Sequence, residues 1–235
     1  MKRIFSILIF LISCLFISAQ PIKIMLVTGG HDFDETEFFE MFDNMEGVEY
    51  EHFEQPKANK KLVKDLAADF DVLVFYDMWK NITDVEKDAY LKLAEQGKPF
   101  LFLHHSIASY QNWPEFEKII GGKYFEKGEN VPEELLSTYD HDVWVYSKVE
   151  TYTPVTKGFR ELRFFDEVYG NVRVLDSVIP LLKTRYPKSM EVVAWENSYK
   201  ASKIIYIQSG HDKRTFVEAD YRQLLLQAIQ YLADK

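Results

Sequence analysis

The sequence predicts a single α/β domain built on a mostly parallel β-sheet with helices on both faces. Three observations predict it. Several short runs are apolar at nearly every position, they alternate with segments of helical spacing, and glycines or polar residues follow them directly. Strands apolar on both faces are covered on both sides, and the intervening helices supply the crossovers that parallel pairs need.

Residues 22–28 (IKIMLVT) read as the first strand and end in Gly29-Gly30. Residues 35–45 carry Phe38, Phe39, Met41, Phe42 and Met45 at helical spacing. A second strand is expected at 48–53. A helix follows at 59–68, with Leu62, Leu66 and Ala67 on its apolar side. The run VLVFY at 72–76 is a third, buried strand. Thr83 with Glu86 forms a capping-box signature for a helix that runs to Gln96 and stops at Gly97. Residues 100–103 form a fourth buried strand that leads into His104-His105-Ser106. Beyond it the pattern is less regular. Strands are expected at 143–149, 172–178, 191–195 and 203–208, a loop excursion at 121–140, and a closing helix at 221–232.

Ahead of the domain, residues 1–19 read as a signal peptide. Lys2 and Arg3 precede an apolar run, and the small pair Ser18-Ala19 places cleavage before Gln20. The run is short for a membrane span, which needs about 20 apolar residues. Leu11-Ile12-Ser13-Cys14 resembles a lipobox, but Leu15, Phe16 and Ile17 continue the apolar run past it, which favours plain cleavage over lipid anchoring at Cys14. The expectation is an exported chain, periplasmic or secreted, whose only membrane contact is through this leader, with residues 20–235 as one domain. Cys14 is the only cysteine, so the mature domain has no disulfide, no thiolate metal ligand and no cysteine nucleophile. The full chain has a formal charge of −9, and loss of Lys2 and Arg3 makes it more acidic. Such a surface repels phosphate backbones and argues against a nucleic-acid partner.

In an open parallel sheet, ligands bind beyond the carboxyl ends of the strands. Four of the six histidines, His31, His104, His105 and His211, follow predicted strands directly. The segments VTGGHDF at 27–33, LHHSIASYQNWPEFEKIIGGKY at 103–124, YTPVTKGF at 152–159, FFDEVYGN at 164–171 and VAWENSYKASKIIYIQSGHD at 193–212 resemble, in this order, the ThuA-like family, named for trehalose utilisation. The resemblance implies a class I glutamine amidotransferase-like, flavodoxin-like fold and a carbohydrate substrate such as a disaccharide or keto-sugar. It also exposes a departure. Amidotransferases carry a cysteine nucleophile in the sharp turn after a central strand, whereas this turn holds His104-His105-Ser106. Thiolate-dependent glutamine hydrolysis is therefore excluded. Ser106 lacks a G-x-S-x-G setting for a serine hydrolase.

Two chemistries remain open. In one, His31, His105 (or its neighbour His104) and His211 bind a divalent metal such as zinc, which suits imidazole ligands. In the other, His105, His211, Asp212 and Glu167 act as acids and bases on a glycoside or keto-sugar, hydrolysing or isomerising it. His31, Asp32, His104, Asp166, Tyr169 and Trp79 are then the substrate-binding candidates; the resemblance, not the spacing, places Asp166, Glu167 and Tyr169 at the pocket. A non-catalytic carbohydrate-binding module on the same fold is the alternative. Trp113, Trp144 and Trp195 are further candidates for sugar stacking, against the ordinary expectation that tryptophan fills the core.

Overall fold

The computed structural model describes residues 20–128 and 131–234; the leader and Cys14 lie outside the described residues. The elements run β1 (Ile22–Gly29), α1 (Glu35–Asp43), β2 (Val48–Glu54), α2 (Lys57–Asp65), β3 (Val72–Asp77), α3 (Asp84–Glu95), β4 (Phe100–Leu103), α4 (Pro114–Ile120), β5 (Gly122–Lys123), β6 (Thr138–Val149), β7 (Glu161–Gly170), β8 (Arg173–Val174), β9 (Ile179–Thr184), β10 (Val192–Tyr199), β11 (Ser202–Ile207), α5 (Lys213–Phe216) and α6 (Ala219–Leu232). Nine strands form one sheet in the order β2-β1-β3-β4-β11-β10-β9-β6-β7, and β5 pairs with β8 separately. The first five strands in that order are parallel. The other four add on antiparallel.

Helices cover both faces because successive side chains of a strand point to opposite sides. On β3, Tyr76 packs on Phe38 of α1 and Phe216 of α5. Its neighbour Phe75 meets Tyr90 of α3 on the other face. Phe102 of β4, in register with Phe75, meets Phe116 of α4 on that same face. Every residue of β3 and β4 is buried. Removing such a strand from water accounts for the unbroken apolar runs, at roughly 25 cal/mol per Å² of apolar surface. The capping box of α3 forms as the sequence implies, with Thr83 accepting from the Glu86 backbone and Glu86 accepting from the Thr83 backbone. No helix among the described residues is long and apolar enough to cross a membrane.

Three expectations are corrected. The strand expected at 172–178 shrinks to the two residues of β8, while β7 and β9 form where none was expected. β7 was hidden because it buries Asp166 and Glu167 among its apolar residues, which erases the period-2 signal. β6 begins at Thr138 instead of 143, because a register shift between Asp140 and Val143 breaks its alternation. Asp142 takes a left-handed φ of 57° there. Helix α2 ends at Asp65, because Leu66 and Ala67 are both left-handed with φ 51°.

Candidate functional site

The site forms where β4 and β11 end, beside the end of the β6–β7 pair remote from its hairpin connection, where residues 138–140 face residues 168–170. The turn after β4 places His104 in the left-handed region, with φ 46° and no exposed surface. This is a costly conformation for a non-glycine residue, and side-chain bonds hold it. Tyr206 Oη donates to the His104 carbonyl at 2.9 Å. His104 Nδ1 lies 2.6 Å from the Gln208 carbonyl oxygen. A carbonyl only accepts, so Nδ1 carries the proton and, in the neutral ring, the Nε2 lone pair faces the site. Tyr169 Oη lies 2.8 Å from that Nε2.

His211 reaches the same point from the turn after β11. Asp166 clamps this turn: its Oδ2 accepts from Gly210 N at 2.8 Å and its Oδ1 from His211 N at 2.9 Å. Gly210 has φ 118°, and a Cβ there would lie 2.1 Å from Tyr221 Oη; only glycine fits. Glu167, the next residue after the clamp, supplies the third group. Its Oε1 lies 3.4 Å from His104 Nε2 and 3.8 Å from His211 Nδ1, and the two imidazole nitrogens are 3.2 Å apart. Its other oxygen pairs with His141 Nδ1 at 2.7 Å. Burial pushes the Glu167 carboxyl up, but contact with the protonated form of His104 and the positive charges of His104, His211 and His141 outweigh it and hold it below the usual range. Burial and the neighbouring His104 lower His211.

These three atoms are the candidate ligands of a metal ion. The set differs from the expected His31, His105 and His211. His105 stacks on His31 with ring centroids 4.8 Å apart and planes within 25°. An imidazole binds a metal in its own ring plane, and two such stacked rings share no common point within bond length. His105 is instead wedged against Tyr76 at 4.3 Å, and neither of its ring nitrogens has a hydrogen-bond partner. Burial, with the charges of His104 and His31, holds it well below its ordinary value, so it is neutral. Its ring lines a cavity of about 520 Å³, together with His31, Met78, Tyr139, His141, Glu167 and Tyr169.

The structure thus brings together His31, His104, His105, Glu167, Tyr169 and His211. It assigns other work to the remaining candidates. Asp212 caps α5, accepting from Arg214 N at 2.8 Å, and pairs with the Arg214 guanidinium; burial raises its carboxyl, but Arg214 pulls it below the usual range. It has no part in the cluster. Asp166 has both oxygens on backbone N–H groups and acts as a clamp. Asp32 is exposed and lines a neighbouring cleft. Trp79 is half-buried, with its backbone tied to Ser109 and Tyr110, and the residues lining the cavity include Met78 in its place. Ser106 Oγ donates to the Leu103 carbonyl at 2.7 Å. Trp113 and Trp195 are core, and Trp144 lies under the Arg163 guanidinium at 3.9 Å. Sequence reasoning missed His141 and Tyr139, which the first residues of β6 carry to the cavity; the only signal was a histidine between Asp140 and Asp142, just past the segment expected as a loop and before the expected strand.

Known proteins agree with this architecture. The family model for trehalose utilisation, ThuA, matches residues 23–232. No curated protein matches the chain in sequence. Among solved structures, a putative ThuA-like protein from Parabacteroides merdae superposes with a TM-score of 0.73 at 17% identity, covering 91% of this chain and 90% of that one. One from Bacteroides uniformis gives 0.68 at 19%, covering 92% and 93%. A β-galactosidase from Bacillus circulans sp. alkalophilus gives 0.58 at 8%, covering 88% of this chain and 30% of that one. At these identities the likeness is one of fold.

Proposed function

Because the chain belongs to the ThuA family of trehalose utilisation, we propose that it is a carbohydrate-transforming enzyme whose His104, Glu167 and His211 hold a divalent metal ion such as zinc. One observation carries this reading. Tetrahedral zinc with bonds of about 2.0–2.1 Å sets its ligand atoms ~3.3 Å apart. The three atoms here stand 3.2, 3.4 and 3.8 Å apart without rearrangement. With the His211 proton on Nε2, two imidazole lone pairs and a carboxylate oxygen face one point, a donor set that suits a divalent cation. The carbonyl behind His104 and the imidazole behind Glu167 orient both ligands, as partners behind metal ligands do.

A bound divalent ion supplies Lewis acidity toward a sugar carbonyl or hydroxyl, or a water of lowered pKa. The chain's own groups do the rest. His105, neutral and buried against Tyr76, backs the cavity wall and stacks on His31. Tyr169 supplies an O–H beside His104, and His31 closes the cavity opposite. Hydrolysis or isomerisation of a glycoside or keto-sugar uses such a set. With residues 1–19 read as an export leader, this chemistry runs outside the cytoplasm.

The test combines elemental analysis of purified protein with turnover of a panel of disaccharides and keto-sugars. About one ion per chain and turnover abolished by Glu167→Gln support the reading. Sugar binding with no turnover and no ion would instead identify a carbohydrate-binding module.

A further inference from the structure

A lone pair can be used once, and that of His104 Nε2 has two claimants. His104 Nδ1 is committed to the Gln208 carbonyl at 2.6 Å, so in the neutral ring Nε2 can only accept. Around Nε2 stand His211 Nδ1 at 3.2 Å and Glu167 Oε1 at 3.4 Å. With the His211 proton on that ring's own Nε2, both of these offer lone pairs as well. Tyr169 Oη differs. It lies 2.8 Å from His104 Nε2, and a phenol keeps its proton at neutral pH, so Tyr169 donates to His104.

The phenol is built into place. Tyr169 is 6% exposed. Its ring lies against the His104 ring, with centroids 4.9 Å apart and planes within 31°, and meets Tyr124 edge-on at 5.2 Å. Its N–H donates to Gln208 Oε1 at 3.3 Å, and its carbonyl accepts from Met190 N at 2.6 Å. Gln208 thus grips both residues, His104 through its carbonyl and Tyr169 through its side chain. A ring packed this closely does not swing clear of the cluster. His104, in turn, does not depend on the phenol for its position, since the Gln208 and Tyr206 bonds fix it from behind. Once the His104 lone pair is taken, the phenol proton has the Glu167 carboxyl as its remaining neighbour.

Resting on the metal reading above, we infer that Tyr169 competes with the divalent ion for His104 Nε2 and so sets how tightly the site holds metal. The imidazole accepts the phenol proton or gives its pair to an ion, and cannot do both. Binding therefore breaks one hydrogen bond, which lowers affinity by about fivefold. Removing the hydroxyl should tighten binding, the reverse of what loss of a ligand or of a structural contact does.

Zinc titration of chelator-stripped wild type and Tyr169→Phe, by calorimetry against a competing chelator, tests this. The variant should bind zinc about fivefold more tightly. In wild type, zinc should shift the near-ultraviolet tyrosine band without producing a phenolate band, and the variant should lack that shift. Tyr169→Met repeats the comparison if the phenylalanine variant misfolds by circular dichroism. Affinities within about twofold of each other overturn the inference. So does weaker binding by the variant, or a phenolate band, which would make Tyr169 a ligand. Each of these outcomes leaves the metal reading standing. Zinc binding by neither protein refutes that reading, and this inference with it.

Discussion

Replacing Asp77 with asparagine should make the protein more stable at alkaline pH and leave it unchanged in acid. Asp77 ends β3 opposite Gly29 and is 1% exposed. Burial pushes its carboxyl up from 3.8 to about 7, and the hydrogen bond from Gln55 Nε2 at 2.9 Å and the charge of Lys80 pull back only in part. The folded state therefore holds this proton more tightly than the unfolded chain. Below about pH 4 both states are protonated and the stabilising difference is fully present. As pH rises toward 7 the unfolded chain releases its proton first, and stability falls until the folded carboxyl ionises too. A gap of about three pH units at 1.36 kcal/mol each makes the loss ~4 kcal/mol. In the Asp77→Asn variant the new amide oxygen would keep the Gln55 bond, and the side chain has no proton to lose. Urea denaturation at pH 4, 6 and 8 is the assay. The variant should match wild type at pH 4 and exceed it by several kcal/mol at pH 8. A constant offset between the two proteins across that range refutes the reasoning. The backbone at this point also braces the His31 turn, since Ser109 Oγ donates to the Asp77 carbonyl and Met78 N to the Gly29 carbonyl.

Gly210→Ala should lower stability by about 2–4 kcal/mol in the same assay, since strain at positive φ adds to a clash with Tyr221; a change under about 0.5 kcal/mol contradicts the clamp geometry. His104→Gly removes a metal ligand at a position whose φ suits glycine, so it should lose the ion while circular dichroism stays native; retention of the ion contradicts the ligand set. Intact-mass measurement of the protein expressed with its leader should give a chain starting at Gln20; an uncleaved chain or a diacylated Cys14 would overturn the reading of the leader.

The parallel half of the fold is legible because burial on both faces leaves no polar residues in the interior of β3 and β4, and because Thr83 and Glu86 announce α3. The antiparallel half is not. β7 buries Asp166 and Glu167 for the sake of the site, and β6 bulges at Asp142; each departure from the local pattern lies next to the chemistry. The histidines after strands were visible for the same topological reason that brings them together. Their division of labour was not. His104 and His105 are neighbours, yet the left-handed turn sends the first to the cluster and the second against Tyr76. Asp166 and Glu167 are likewise neighbours, yet one grips backbone N–H groups and the other faces His104. Sequence adjacency hides such choices, since alternate side chains of a strand diverge.

The chemistry proposed for the site rests on His104, Glu167 and His211 binding a metal ion. Crystals of the protein stripped with chelator and reloaded with zinc, measured at the zinc absorption edge, test this most directly. One anomalous peak per chain is expected at bond length, about 2.0–2.1 Å, from His104 Nε2, Glu167 Oε1 and His211 Nδ1. A map with no peak there, or with the ion between His31 and His105, would contradict it.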